Sequence, residues 1–316
     1  MIKYPEKTSS IWNAIKLYCD SKEYDVLLLN YAKHVFLLGL MNLVFPKSCK
    51  IIVLDLFLPH PNNQKSILCK IQKIILEISL QKIHKIILYS KCNEELSQAY
   101  NINNSKIKYV PFKVNSLEYL KTQQTSDQGY IFSGGQSRRD FNTLLEACNG
   151  LPYPVRIVTP IEKYTKVHGS LLDESRASSN VQITHDNGSF ESFVSNIAQS
   201  RFVVIPTKQN DFASTGTSVY LISMALKKCV IISEGPATKG ILSEDLAVTI
   251  PPEDPLALRR AIQKVYEDDL FRQNIAQNGY NYAASLGDQN TLYKSLLREI
   301  EMSFEEVPFS ASLLID

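Results

Sequence analysis

The sequence predicts an α/β protein made of two doubly wound domains that face a cleft, each a parallel sheet covered by helices on both faces. Three observations carry this prediction. Short apolar runs recur along the chain between longer stretches with helical spacing. Each run is bounded by turn residues. The chain has 316 residues, 44% apolar and 21% charged, enough for two cored domains of roughly 100–200 residues each. A parallel crossover needs about a dozen residues or more, so alternation at this spacing implies parallel sheets.

In the first half, strands are expected at Val26–Leu29, Ile51–Leu54, Lys85–Tyr89 and Ile107–Pro111. They alternate with helical patterns at Ile11–Tyr18, Val35–Leu43, Ile67–Leu80 and Glu94–Tyr100. In the second half, strands are expected at Tyr130–Ser133, Val155–Val158, Val181–Thr184, Phe202–Ile205, Val230–Ile232 and Ala247–Ile250. The polar stretch Asn115–Gly129 has no apolar period and reads as a linker. It divides the chain into an N-terminal domain, residues 1–118, and a C-terminal domain, residues 119–316. A terminal amphipathic pattern, Thr291–Phe304, aligns Leu292, Leu296, Leu297 and Ile300 on one side, as expected of a helix crossing back to the first domain. There is no internal repeat.

Disorder and fibrous structure are excluded by composition. The best apolar run, Val35–Phe45, falls short of the ~18–20 residues a spanning helix requires, and MIKYPEKTSS is not a secretory leader. The expected location is the cytoplasm. Six cysteines stand apart with no C-x-x-C pair, as expected of reduced, mostly buried thiols. Residues 1–118 hold 16 lysines, no arginine and nine acids, a net +7, which leaves −5 for the remainder. A solvated lysine-rich face is the simpler reading. The functional one is peripheral contact of the basic half with an anionic membrane.

In open parallel sheets, ligands bind at the carboxyl ends of the strands, so the loops there carry the chemistry. After the strand at Tyr130–Ser133 comes Gly134-Gly135-Gln-Ser-Arg138-Arg139-Asp140, with Ser137 expected as N-cap of the next helix. Glycines let a ligand approach the backbone, and a helix N-terminus offers free N–H groups. Two arginines in a first helical turn oppose the helix dipole, a conflict that a bound phosphate removes. After Phe202–Ile205 comes a second small-residue loop, with Lys208, Thr215, Gly216, Thr217 and Ser218 leading into a helix expected over Val219–Leu226. Two such junctions in one crevice would clamp a diphosphate without metal. The motifs G-x-G-x-x-G, G-x-x-x-x-G-K-[ST] and G-x-S-x-G are absent, as is any D-x-D pair, which argues against dinucleotide, P-loop and serine-hydrolase chemistry.

From Tyr130 to Glu301 these residues resemble the donor domain of GT-B glycosyltransferases, particularly the retaining family 4. The carriers are Ser133-Gly134-Gly135 with Arg138-Arg139-Asp140, the segment SVYLISMALKKCVII from Ser218, and Pro252-Glu-Asp-Pro-Leu-Ala-Leu258. The resemblance implies two Rossmann-like domains and transfer of a sugar from a nucleoside-diphosphate sugar to a hydroxyl of a saccharide or lipid-linked acceptor. The nucleotide sugar is then a co-substrate; no cofactor, metal or nucleic acid is implied. Gly134, Gly135, Arg138, Arg139, Lys208, Thr215, Gly216, Thr217 and Ser218 would hold the diphosphate, with Thr159 and Pro160 beside the nucleobase. By the same resemblance, Asp55 or His60, after the strand Ile51–Leu54, would bind the acceptor hydroxyl or take its proton. Asp55 as a strand end and His60 as a surface residue is the plainer alternative. Ser90-Lys91-Cys92 before Glu94-Glu95 is similar to the family's serine-led helix start. Two departures stand out. The family's glutamate pair falls on Ser214 and Ile222, and the first half is short. They keep open a catalytically silent nucleotide-sugar-binding subunit and, less directly, an epimerase.

Overall fold

The computed structural model describes residues 10–30, 35–46, 48–56, 58, 67–160, 169–186, 189–208, 212–304 and 313–315. In the first part of the chain, helices α1 (Ser10–Asp20), α2 (Val35–Val44), α3 (Ile67–Leu80) and α4 (Asn93–Tyr100) alternate with strands β1 (Val26–Asn30), β2 (Lys50–Leu54), β3 (Lys85–Leu88) and β4 (Ile107–Tyr109). A short helix α5 (Leu117–Lys121) leads to β5 (Ile131–Gly134), α6 (Phe141–Cys148), β6 (Val155–Pro160), β7 (Val181–Asp186), α7 (Phe190–Gln199) and β8 (Phe202–Ile205). Then follow α8 (Thr217–Ala225), β9 (Val230–Ser233), β10 (Val248–Ile250), α9 (Pro255–Glu267), α10 (Asp269–Leu286), α11 (Gln289–Glu301) and β11 (Leu313–Ile315).

All strands pair in parallel, and they form two sheets of order β11-β1-β2-β3-β4 and β10-β9-β8-β5-β6-β7. Runs such as Phe202-Val-Val-Ile205 are apolar at every position because a parallel strand covered on both faces has no solvent side. The expected α/β, doubly wound class is therefore what the chain adopts.

The chain forms two compact units. One contains described residues 10–110, 212–213 and 294–315; the other contains 111–208 and 214–293. The expected linker Asn115–Gly129 is not a free connection. It contains α5, and Val114 and Leu120 are buried in the second unit's core, so residues 111–118 pack with the C-terminal unit. From Lys294 onward, α11 belongs to the first unit, where Lys85 Nζ pairs with Glu299 Oε2 at 3.2 Å. Strand β11 extends the first sheet beside β1, with Val26 opposite Leu313. A three-residue apolar run gives no periodicity to read, and it was not expected.

The second unit has two cores, one on each side of its sheet. Phe141, Leu144 and Leu145 of α6 meet Leu258 and Ile262 of α9 on one face; Val194 and Ile197 of α7 meet Leu221 and Met224 of α8 on the other. Asp254 caps α9 by accepting from Ala257 N at 2.8 Å, with Pro255 next to it, which fits the proline-flanked start seen in the sequence. Cys49, Cys92, Cys148 and Cys229 are buried free thiols, and burial pushes those of Cys148 and Cys229 up to about 12. Cys19 is exposed, and the Cys69 side chain lies outside the described residues.

Two predictions follow from this packing. In the first unit, a Cβ on Gly39 of α2 would stand 2.5 Å from the Ser79 carbonyl of α3. Gly39→Ala should therefore cost on the order of 1–3 kcal/mol of stability, read from denaturant unfolding; an unchanged midpoint would contradict the close approach. In the second, Lys228 is buried, and its Nζ donates to the Ser126 and Ser200 carbonyls at 2.7 Å. Burial lowers its pKa to about 8, with Arg272 adding and Asp127 opposing. Above about pH 8 the folded chain releases this proton while the unfolded chain keeps it up to its ordinary value near 10.5, so this group makes stability rise with pH across that window. Lys228→Met should remove that rise from the measured pH dependence.

Candidate functional site

In the second sheet, β5 and β8 are neighbours whose following helices, α6 and α8, lie on opposite faces. This is the point where the strand order reverses. The β5–β8 ladder is recorded at Ile131 opposite Phe202 and Phe132 opposite Val203, whereas β5 runs on beside β6 to Gly134 opposite Val158. The crevice that opens between such strands is the usual ligand site of a doubly wound sheet.

The two loops that leave these strands are joined there. Arg139 and Thr207 form an antiparallel bridge, Asp140 N donates to Pro206 O at 3.0 Å, and Lys208 N donates to Arg138 O at 3.2 Å. Gly216 approaches the same place, since a Cβ on it would be 3.9 Å from Thr207 Cγ2. Thr207 N in turn donates to Ser233 Oγ at 3.0 Å, which ties the end of β9 to the pair. The structure thus brings Gly134, Gly135, Arg138, Arg139, Lys208 and Gly216 into one assembly.

The two arginines differ in role. Arg139 is 3% exposed, and its guanidinium turns back into its own loop, Nε donating to Gly134 O at 3.1 Å and Nη1 to Ser137 O at 2.9 Å. Its main chain is held by Ser170: Arg139 N donates to Ser170 Oγ at 2.8 Å, and Ser170 Oγ donates to Gln136 O at 2.7 Å. Burial lowers the guanidinium to about 10. It makes no ion pair among the described residues. Gly135, at φ +115°, covers it so closely that a Cβ would lie 2.7 Å from Nη2. Arg138 is half-buried at φ +54°, its pKa lowered by burial. Lys208 is half-buried and has no ion-pair partner among the described residues.

The expected cap is corrected. Asp140, not Ser137, caps α6, accepting from Thr143 N at 3.2 Å and Thr143 Oγ1 at 2.6 Å. The arginines therefore precede the helix instead of opposing its dipole from within the first turn. Helix α8 likewise starts at Thr217, not Val219, with Gly216 as cap at φ +98°. Thr217 is buried, its Oγ1 donating to Ser214 O at 2.8 Å, so this hydroxyl is a structural clasp. Thr217 N bonds Ser214 O and Val219 N bonds Gly216 O, which leaves the N–H groups of Gly216 and Ser218 without a backbone acceptor among the described residues. Thr215 and Ser218 are half-buried beside them.

Thr159 is also corrected. It lies within β6, opposite His185, and is 1% exposed, because the strand runs two residues further than expected, through Pro160. Asp55 belongs to the other unit, at the end of β2, buried at φ +48° with its N–H donating to Ile87 O at 2.8 Å. Nearby, Ser90 Oγ and Cys92 Sγ are 3.1 Å apart; Cys92 is the N-cap of α4 with no side-chain cap bond, so the serine-led start does not cap through Ser90. His60 lies outside the described residues. Of the two glutamate positions, Ser214 is half-buried and Ile222 is in the core of the second unit. Ser170 and Ser233 were not anticipated; each acts through a contact distant in sequence that no local pattern announces.

No protein-family model matches the chain, and no curated protein matches it. Solved structures do. Sucrose-phosphate synthase from Thermosynechococcus elongatus superposes with a TM-score of 0.72 at 16% identity, over 96% of this chain and 82% of that one. A glycosyltransferase from Rickettsia africae gives 0.65 at 14%, over 97% and 85%. Anabaena HepE, in complex with UDP-glucose, gives 0.68 at 13%, over 92% and 82%. The fold is that of GT-B glycosyltransferases, with two Rossmann-like domains.

The loop geometry makes a direct prediction. Gly135→Ala forces a left-handed backbone on a residue with a Cβ and pushes it into Arg139, which should cost on the order of 1–3 kcal/mol. Gly235→Ala, whose Cβ would meet nothing within 4 Å, should be close to neutral. Equal thermal midpoints for the two variants would refute the packing described for Gly135.

Proposed function

We propose that this chain is a glycosyltransferase that moves a sugar from a nucleoside-diphosphate sugar to a hydroxyl of a saccharide or lipid-linked acceptor, without a metal ion. One observation carries the reading: at the point where the second sheet reverses, a buried guanidinium with no carboxylate partner among the described residues supports a glycine loop that is paired to the loop leading into α8. An uncompensated cation is costly to bury, and a diphosphate over Gly135 would balance it. The Gly216 and Ser218 N–H groups, Arg138 and Lys208 would add donors. As the glycosidic bond breaks, negative charge grows on the departing diphosphate, and fixed donors there lower the barrier. The nucleotide class is supported by HepE, whose structures include UDP and UDP-glucose.

A second reading, a catalytically silent nucleotide-sugar-binding subunit, is favoured by one feature: Ser214 and Ile222 stand where the family's carboxylates would contact sugar and ribose, and Ile222 is in the core.

Thermal shift with uridine, guanosine and adenosine diphosphates tests the first step. One of them should raise the midpoint, and Arg138→Ala should weaken its binding by about 1.5–3 kcal/mol. Stabilisation by none removes the proposal. Incubation of the matching sugar nucleotide with candidate acceptors then separates the two readings: glycosylated product supports transfer, and binding without turnover supports the silent subunit.

A further inference from the structure

The turn that carries the two arginines is closed by a side chain from elsewhere in the second unit. Gln136 and Arg139 have the spacing at which a β-turn normally closes, by a bond from the later N–H to the earlier carbonyl. No such main-chain bond joins them among the described residues. The Ser170 hydroxyl lies between them instead, accepting from Arg139 N at 2.8 Å and donating to Gln136 O at 2.7 Å. Two bonds in series hold these groups further apart than the about 3 Å of a direct one. The turn is therefore widened by one oxygen atom.

Ser170 arrives on a strap that is fixed without its hydroxyl. Leu171 N donates to Arg139 O at 2.7 Å, Phe141 N donates to Leu171 O at 3.0 Å, and Asp173 N donates to Asn142 Oδ1 at 2.7 Å. Ser170 itself is buried, and the one donor of its hydroxyl is used on Gln136 O.

The widened turn sets the geometry of the proposed phosphate loop. Its two inner residues are Ser137 and Arg138. The Ser137 carbonyl accepts from Arg139 Nη1 at 2.9 Å, one of the two bonds that hold the buried guanidinium. Arg138 stands at φ +54°, a left-handed backbone that a residue with a Cβ adopts at a cost. Its side chain passes the strap, since a Cβ on Gly169, itself at φ +72°, would lie 3.8 Å from Arg138 Cγ. Strain of this kind persists where the surroundings over-determine it, and it collects at ligand sites. Stability alone would be served by a direct bond closing the turn, without a serine 31 residues away.

We propose that Ser170 is a positioning residue for the diphosphate: its hydroxyl holds the turn open so that Arg138 and the Gly135 loop present their donors to the two phosphates together. This rests on the reading of the loop as a diphosphate site. Without the hydroxyl, the turn either closes directly, drawing the Ser137 carbonyl off Arg139, or leaves Gln136 O and Arg139 N without this partner. Either change moves Arg138, and a shift of about 1 Å in such a group is enough to weaken its hold on a ligand.

The test is titration calorimetry of the full chain with the monophosphates and diphosphates of uridine, guanosine and adenosine. For the base that binds, the wild-type chain should prefer the diphosphate, and Ser170→Ala should lower that preference about tenfold. The ratio of the two affinities does not depend on how much of the variant is folded, so a merely structural role would leave it unmoved. Ser170→Cys, close in size but a weak hydrogen-bonding group, should behave like Ser170→Ala and carries the comparison if the alanine variant does not fold. Ser170→Thr keeps the hydroxyl and should keep the preference. An unchanged ratio in the alanine or cysteine variant, or an equal loss in the threonine variant, overturns the proposal while the site itself stands. No binding by the wild-type chain, or binding without preference for the diphosphate, removes the diphosphate site and this proposal with it.

Discussion

The second unit is organised around one short pairing, Arg139 with Thr207. Where β5 and β8 part, the sheet's own hydrogen bonds run out, and the two loops that leave on opposite faces need another reason to stay together. The main-chain bridge supplies it, and the Arg139 side chain, folded onto the Gly134 and Ser137 carbonyls, fixes the shape of one partner. Gly135 has to be glycine because the guanidinium occupies the space a side chain would need. Asp140 can cap α6 only because the loop delivers it there. The Gly216 turn is then set against Thr207, its N–H and that of Ser218 without a backbone acceptor among the described residues. Each part of the proposed phosphate site inherits its position from this contact.

That arrangement has an energetic imbalance. Two carbonyls satisfy part of the guanidinium's hydrogen-bonding capacity but none of its charge, and the burial that lowers its pKa also destabilises the charged form. A fold gains nothing in stability from such a group when a well-packed apolar residue would serve. Its presence makes sense when the compensating charge arrives with a ligand. In the proposed transfer, binding energy from the diphosphate would be expressed where negative charge accumulates.

Much of this was legible in the sequence. Ile67–Leu80 and Phe202–Ile205 stand out because length and burial on both faces leave unbroken patterns. The two loops were recognisable from glycines and small residues at strand ends. Three things were not. Arg139 reads as a charge, and nothing local says that its head turns inward; that depends on carbonyls fixed by tertiary structure. Ser170 reaches the same loop from 31 residues downstream. Helix α5 hides in a polar stretch because only Leu117 and Leu120 signal it, and β11 is too short to carry a period.

The pattern of divergence has a physical logic. Identities of 13–16% to the similar solved structures leave little side-chain identity to depend on, yet the fold superposes over more than nine-tenths of this chain. A phosphate cradle made of main-chain N–H groups requires glycines, a turn and one buried cation, and tolerates replacement of most other residues. Recognition of sugar and ribose by carboxylates depends on particular side chains, so Ser214 and Ile222 can stand in those places without disturbing the backbone. With Ile222 packed into the α8 core, a glutamate there would bury an unpaired charge in this chain. The packing of α8 thus disfavours a carboxylate at position 222, and in the proposed reading ribose would be recognised by groups other than that helix position.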